Sequence, residues 1–161
     1  MKNNRRIIMD VLLLLCFLAG IFIASSQPYE KQDLRGTIRK YINMNQVQDK
    51  LGGIHFNYGK KEISVEESGA DGFVEFFIRK GTHFLTFTFF GILFYRLFRY
   101  WTKPREAIAW TGWIGTLVAI SDEWHQSFTP NRTAMITDVI LDVSGLVFAM
   151  ILITVLRVFR R

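Results

Sequence analysis

The chain has 161 residues, of which 50% are hydrophobic and 15% aromatic, with a formal net charge of +6. A soluble domain of this length could bury such a core, but the apolar residues come in blocks, which points away from a soluble fold. The basic excess sits at the ends of those blocks, which argues against a nucleic-acid partner, and the single cysteine, Cys16, excludes an intramolecular disulfide.

The first block, IIMDVLLLLCFLAGIFIA at 7–24, is interrupted only by Asp10. A spanning helix needs roughly 20 mostly apolar residues, so this block qualifies, and a helix over about 7–25 is predicted. Ala24-Ser25-Ser26 also offers the small residues of a signal-peptidase site. The apolar run exceeds the usual h-region of about 7–15 residues, so a retained helix is the favoured reading. Asp10 lies close to Arg6 at the block's start, where local pairing or snorkelling suffices, and no role is assigned to it.

Residues 26–80 form a nearly neutral insertion with nine Lys/Arg and eight Asp/Glu. Leu34, Ile38, Tyr41, Ile42 and Leu51 recur near helical spacing over 31–51, and Gly52-Gly53 ends that helix. Ile54, Phe56 and Tyr58 then alternate, with Ile63 and Val65 across a Gly59-Lys60 turn, which reads as a short hairpin. His55 reads as a half-buried packing residue of the first strand. GADG at 69–72 breaks the chain, and FVEFFIRK leads into a second helix over about 81–100.

A third helix is predicted over about 106–124 and a fourth over about 133–156. The last qualifies outright. The middle two are short and borrow interfacial residues such as Trp101 and Trp124. The expected fold is an all-α membrane protein: four transmembrane helices in one domain, with a small extracytoplasmic α/β insertion between the first two.

The charges orient it. Lys2, Arg5 and Arg6, then Arg96, Arg99, Lys103 and Arg105, then Arg157, Arg160 and Arg161 fall on one side of a four-pass chain. The positive-inside rule makes that side cytoplasmic, with both termini inside. These residues also suit anionic lipid.

Between the last two apolar runs lies SDEWHQSFTPNRTAMITD at 121–138. The topology brings Lys80 and His83, Asp122, Glu123, His125 and Gln126, and Arg132, Asp138 and Asp142 to one depth on the outer side. Asp122 shares a helical face with His125 and Gln126, and Asp138 with Asp142. Gly145 continues that stripe and admits a close helix. Thr129-Pro130-Asn131-Arg132 reads as a turn, with Asn tolerating positive φ, that aims Arg132 back at the carboxylates. A carboxylate at a helix centre costs roughly 2.5–3.5 kcal/mol, so such residues are functional candidates that need partners. No GxSxG, HExxH, CxxC or P-loop occurs. His83, His125 and a carboxylate lack any zinc spacing, so no metal and no cofactor is expected.

DEWHQSFTPNRTAMITDVILDVSG resembles the VanZ-like family of bacterial membrane proteins. The ordered set is Glu123, Gln126, Pro130, Arg132, Asp138 and Gly145. KGTHFLTFTFFGIL at 80–93 is similar to the family's Lys and His-Phe segment, matching Lys80 and His83, and SSQP after the first helix also resembles it. The chain departs from the pattern at Asp142, where many members have Asn, at Asn131, where Gly is usual, and at Ala149, where a second Gly is common. The resemblance implies a multi-pass bacterial cytoplasmic-membrane protein. The founding member is associated with low-level teicoplanin resistance, and no reaction is implied.

The expectation is a protein acting at the outer leaflet in envelope or surface-antimicrobial responses, with the lipid bilayer and an envelope lipid or polymer as partners. Glu123, His125, Asp122 and Asp138 are the candidate acid–base residues. Arg132, His83, Lys80 and Gln126 are the candidate substrate-binding residues. An acid–base enzyme acting on a lipid-linked or phosphorylated substrate, and a non-catalytic binding or structural protein, are the rival readings. Oligomeric state is left open.

Overall fold

The computed structural model describes residues 2–159. Arg160, Arg161 and the side chain of Lys2, used above for orientation, lie outside what is described. The chain is mostly helical: α1 (Lys2–Ser25), α2 (Arg35–Tyr41), α3 (Met44–Leu51), β1 (His55–Tyr58), β2 (Lys61–Ser64), α4 (Val65–Phe98), α5 (Pro104–Gln126) and α6 (Ile136–Val158), with a 3₁₀ turn at Tyr29–Gln32.

α4 and α6 make the most extensive contact, and α5 packs on both. Small residues set their spacing. A Cβ on Gly145 of α6 would collide with the Phe84 carbonyl oxygen of α4, and one on Gly91 of α4 would meet the Ala149 Cβ at 2.8 Å. The close approach expected at Gly145 is thus an α4–α6 contact, with Ala149 filling the next contact along. Phe87, Ala119 and Leu146 form a core where all three helices meet. α1 lies against α4 and α5 through Leu14, beside Phe90, Leu93 and Phe94.

α1 and α6 are long and apolar enough to cross a membrane. Thr, Gly and His dilute the apolar runs of α4 and α5, so length and composition alone single out two helices rather than four. Asp10, expected to need no more than Arg6, is instead buried at 3% exposure. It accepts hydrogen bonds from Arg96 Nη2 at 2.7 Å and Tyr100 OH at 2.9 Å. The start of α1 is therefore tied to the end of α4.

Two element boundaries differ from expectation. The single helix over 31–51 is split into α2 and α3, because Ile42 is extended and the Asn43 side chain accepts from the backbone N–H groups of Asn45 and Gln46, capping a fresh helix. α4 begins at Val65, capped by Ser64 Oγ, which accepts from Glu67 N at 3.1 Å. Gly69, at φ 73° and ψ 162°, is non-helical, so the break expected at 69–72 does occur: a short turn over 65–68 is joined across a kink to the long helix that follows. The hairpin pairs Tyr58 with Lys61 and Phe56 with Ile63 around Gly59, which has φ 63°. His55 is exposed rather than half-buried.

The insertion docks on the first half of α4. Ile63, Val65 and Phe73 form its core. Buried Glu75 accepts from Tyr29 OH at 2.6 Å and Leu34 N at 2.9 Å. That contact, with burial acting first, pushes the Tyr29 hydroxyl up to about 12. Arg39 pairs with Asp71 at 2.5 Å.

Candidate functional site

The end of α1, the middle of α4, the end of α5 and the start of α6 meet at one end of the bundle. The geometry divides the residues singled out above into three groups.

The first is centred on Asp122. Ser25 Oγ, on the last turn of α1, donates to Asp122 Oδ1 at 2.5 Å, and Gln126 Nε2 donates to Oδ2 at 2.8 Å. The second bond is the i, i+4 pairing expected on α5. Arg132 Nη1 donates to Gln126 Oε1 at 2.9 Å, and Nη2 to the Gln32 side chain and the Ala24 carbonyl. Arg132 thus reaches the carboxylate through the Gln126 amide rather than by the direct ion pair expected of the turn. Asn131 does take positive φ, at 58°, and Thr129 Oγ1 donates to the Ser25 carbonyl at 2.9 Å, fixing the turn to α1.

The second group lies at the start of α6. Lys80 and Tyr58 both donate to Asp138 Oδ1, the tyrosine at 2.6 Å. Burial and then this carboxylate push the Tyr58 hydroxyl well above its ordinary range. Glu123 Oε1 accepts from Met135 N at 2.6 Å, so Glu123 holds the turn into α6. Its Oε2 is buried with no partner among the described residues.

The third group is His83, Asp122 and Asp142. Asp142 is fully buried. His83 Nδ1 lies 3.3 Å from Asp142 Oδ1, long for a charge-assisted hydrogen bond. Neither Asp142 oxygen has a hydrogen-bond partner among the described residues. One ligand atom from each of the three residues lies within 4.8 Å of the others. Spacing in the sequence did not reveal this set, because its members come from three helices.

His125 does not join these residues. Its ring stacks on Phe22 at 4.3 Å and 5°, with Nε2 3.5 Å from Ser26 Oγ. Ser25 was missed as a partner of the cluster. Its only signals were its place at the end of the apolar block and within SSQP. Tyr58 fits the aromatic alternation of the hairpin, and its hydroxyl carries no sequence signal.

Beside the Asp122 group, a cavity of about 360 Å³ opens between α1, α4 and α5. Its walls include Ile21, Ala24, Leu34, Ile78 and Phe87, and its polar lining includes Arg79, Arg132, His83 and Asp122. Neither Arg79 nor Arg132 has a carboxylate within ion-pair distance among the described residues. Burial and then the charge of Arg79 make the Arg132 guanidinium less basic than usual. The lining thus carries two cations beside the Asp122 carboxylate, with Arg79 also lying over the Tyr29 ring at 4.9 Å.

The VanZ/LLP1 family model matches residues 10–157, taking in all the helices that build this site and the insertion docked beside it. No curated protein and no solved structure matches the chain.

Proposed function

Because the chain belongs to the VanZ/LLP1 family, we propose that it is a four-pass protein of the bacterial cytoplasmic membrane that binds an anionic amphiphile of the cell envelope at its outer end. The observation that carries this reading is that Arg79 and Arg132, neither with a carboxylate within ion-pair distance among the described residues, both line a largely apolar cavity. An acyl or prenyl chain suits the walls, and a phosphate or carboxylate head suits two guanidiniums.

Four spans are supported by the outward face of α5. Trp110, Trp113, Leu117, Ile120 and Trp124 are 48–72% exposed along it, a surface suited to lipid and costly in water. Arg5, Arg6, Arg96, Arg99, Lys103, Arg105 and Arg157 belong to the end of the bundle opposite the cavity, which makes that end cytoplasmic by the positive-inside rule. The cavity then faces the outer leaflet, and such a protein acts in the envelope, including responses to surface-active antimicrobials.

The test uses purified full-length protein in nanodiscs with photoactivatable phosphatidylglycerol or phosphatidylcholine. The anionic probe labels α1 and α4 preferentially, and Arg79→Gln or Arg132→Gln lowers that preference about tenfold, as loss of one charged hydrogen bond would. Equal labelling by both lipids, unchanged in the variants, overturns the reading.

A further inference from the structure

We propose that His83, Asp122 and Asp142 bind one divalent transition-metal ion, with an open coordination position toward the cavity. The inference goes beyond amphiphile binding and does not depend on it.

The first observation is the geometry. One imidazole nitrogen and two carboxylate oxygens from α4, α5 and α6 converge within 4.8 Å of one another. Ligand atoms around a tetrahedral zinc lie about 3.4 Å apart, from metal–ligand bonds of roughly 2.0–2.2 Å. His83 Nδ1 and Asp142 Oδ1 are already at 3.3 Å, so contraction on the Asp122 side completes the set.

The second observation is Asp142 itself. It has no exposure, and among the described residues both of its oxygens lack hydrogen-bond partners. A buried carboxylate in that condition is expensive unless a cation meets it. His83 offers a single nitrogen at a long distance, which serves one oxygen at most. A metal ion can take either or both oxygens and offsets two carboxylate charges with one centre.

The third is support around the ligands. Asp122 is held by Ser25 Oγ and Gln126 Nε2, and Gln126 in turn by Arg132. Carboxylate ligands are commonly oriented by such outer hydrogen bonds. Each Asp122 oxygen keeps a second lone pair for a metal. The donor set of one nitrogen and two carboxylates suits zinc, iron or manganese better than calcium, which takes six to eight oxygens. His83 and Asp122 line the cavity whereas Asp142 does not. The remaining coordination position therefore faces the space beside Arg79 and Arg132, where a water or an anionic head group can enter.

The experiment is a metal titration of the purified full-length chain carrying no histidine tag. The protein is stripped with chelator, reloaded with Zn²⁺ or Mn²⁺, and its content measured by mass spectrometry. Co²⁺ substitution adds a spectroscopic readout of nitrogen and oxygen ligation. One equivalent of Zn²⁺ or Mn²⁺ is expected. Asp142→Asn and His83→Gln each weaken binding at least tenfold, while Glu62→Gln, at an exposed position of β2, leaves it unchanged. If Asp142→Asn does not accumulate, His83→Gln decides alone. Substoichiometric metal in the wild type, or equal affinity in the variants, overturns the proposal.

Discussion

Ser25, on the last turn of α1, donates its hydroxyl to Asp122 of α5 at 2.5 Å across 97 residues of sequence. The contact ties the last turn of the first helix to the site. Cleavage near Ala24 would remove the Asp122 partner, the Ala24 carbonyl that Arg132 uses and the wall of the cavity. An N-terminal epitope tag is therefore expected to stay on the mature protein in membrane fractions. Ser25→Ala lowers stability by about 1–3 kcal/mol, the cost of leaving a buried acceptor without its donor. Release of the tag with full activity in the remaining chain contradicts this.

The other end of α1 is fixed just as specifically. Asp10 is buried and bonded to Arg96 and Tyr100. Asp10→Asn is expected to reduce stability by about 1–3 kcal/mol. Arg96→Gln does the same, and the double variant costs less than the two together, because both single changes break one interaction. Additive losses on thermal unfolding in detergent would show that the pair does not act as a unit.

Glycine positions separate helix packing from helix propensity. Gly145→Ala places a methyl group against the Phe84 backbone, which cannot rotate away, so α4 and α6 must separate. A loss of about 1–3 kcal/mol or more is expected, as for overpacked cores. Gly20→Ala in α1 meets nothing within 4 Å and is neutral or stabilising by up to about 1 kcal/mol. Comparing the melting temperatures of the two variants checks the contrast directly.

The insertion should loosen in acid. Burial alone would raise the Asp71 carboxyl, but the Arg39 guanidinium and backbone N–H groups outweigh it and hold it below the usual range. A carboxyl lowered in the folded state contributes stability above its unfolded value of about 3.9, and that contribution is lost as pH falls through the folded value. Arg39 is largely exposed, so the effect is at most about 1 kcal/mol. Proteolysis within residues 26–64 is expected to accelerate below pH 4 in the wild type. Asp71→Asn shows the faster cleavage already at neutral pH.

Much of this was legible in the sequence, and the exceptions share a cause. The apolar blocks, the hairpin turn at Gly59-Lys60, the αL residue Asn131 and the convergence of polar residues at one depth all follow from local pattern and topology. Partner choice does not. Lys80 was a candidate for any of four acids, and its selection of Asp138 depends on where Tyr58 of the insertion delivers its hydroxyl. Asp142 drew attention as a departure from the family pattern, yet its burial beside His83 and Asp122 depends on the rotation of α4 against α6, which the small contacts at Gly145 and Gly91 set. At Asp10, sequence proximity favours Arg6, while the folded chain supplies Arg96.

The most direct test of the proposed anion site is complementation. A deletion strain is given the wild-type gene, Arg79→Gln or Arg132→Gln, and sensitivity to surface-active antimicrobials, teicoplanin included, is measured alongside the membrane abundance of each variant. Both variants are expected to accumulate to near wild-type levels and fail to restore the phenotype. Full complementation by both, or a phenotype that only tracks abundance, would contradict this and leave the arginines with a purely structural part.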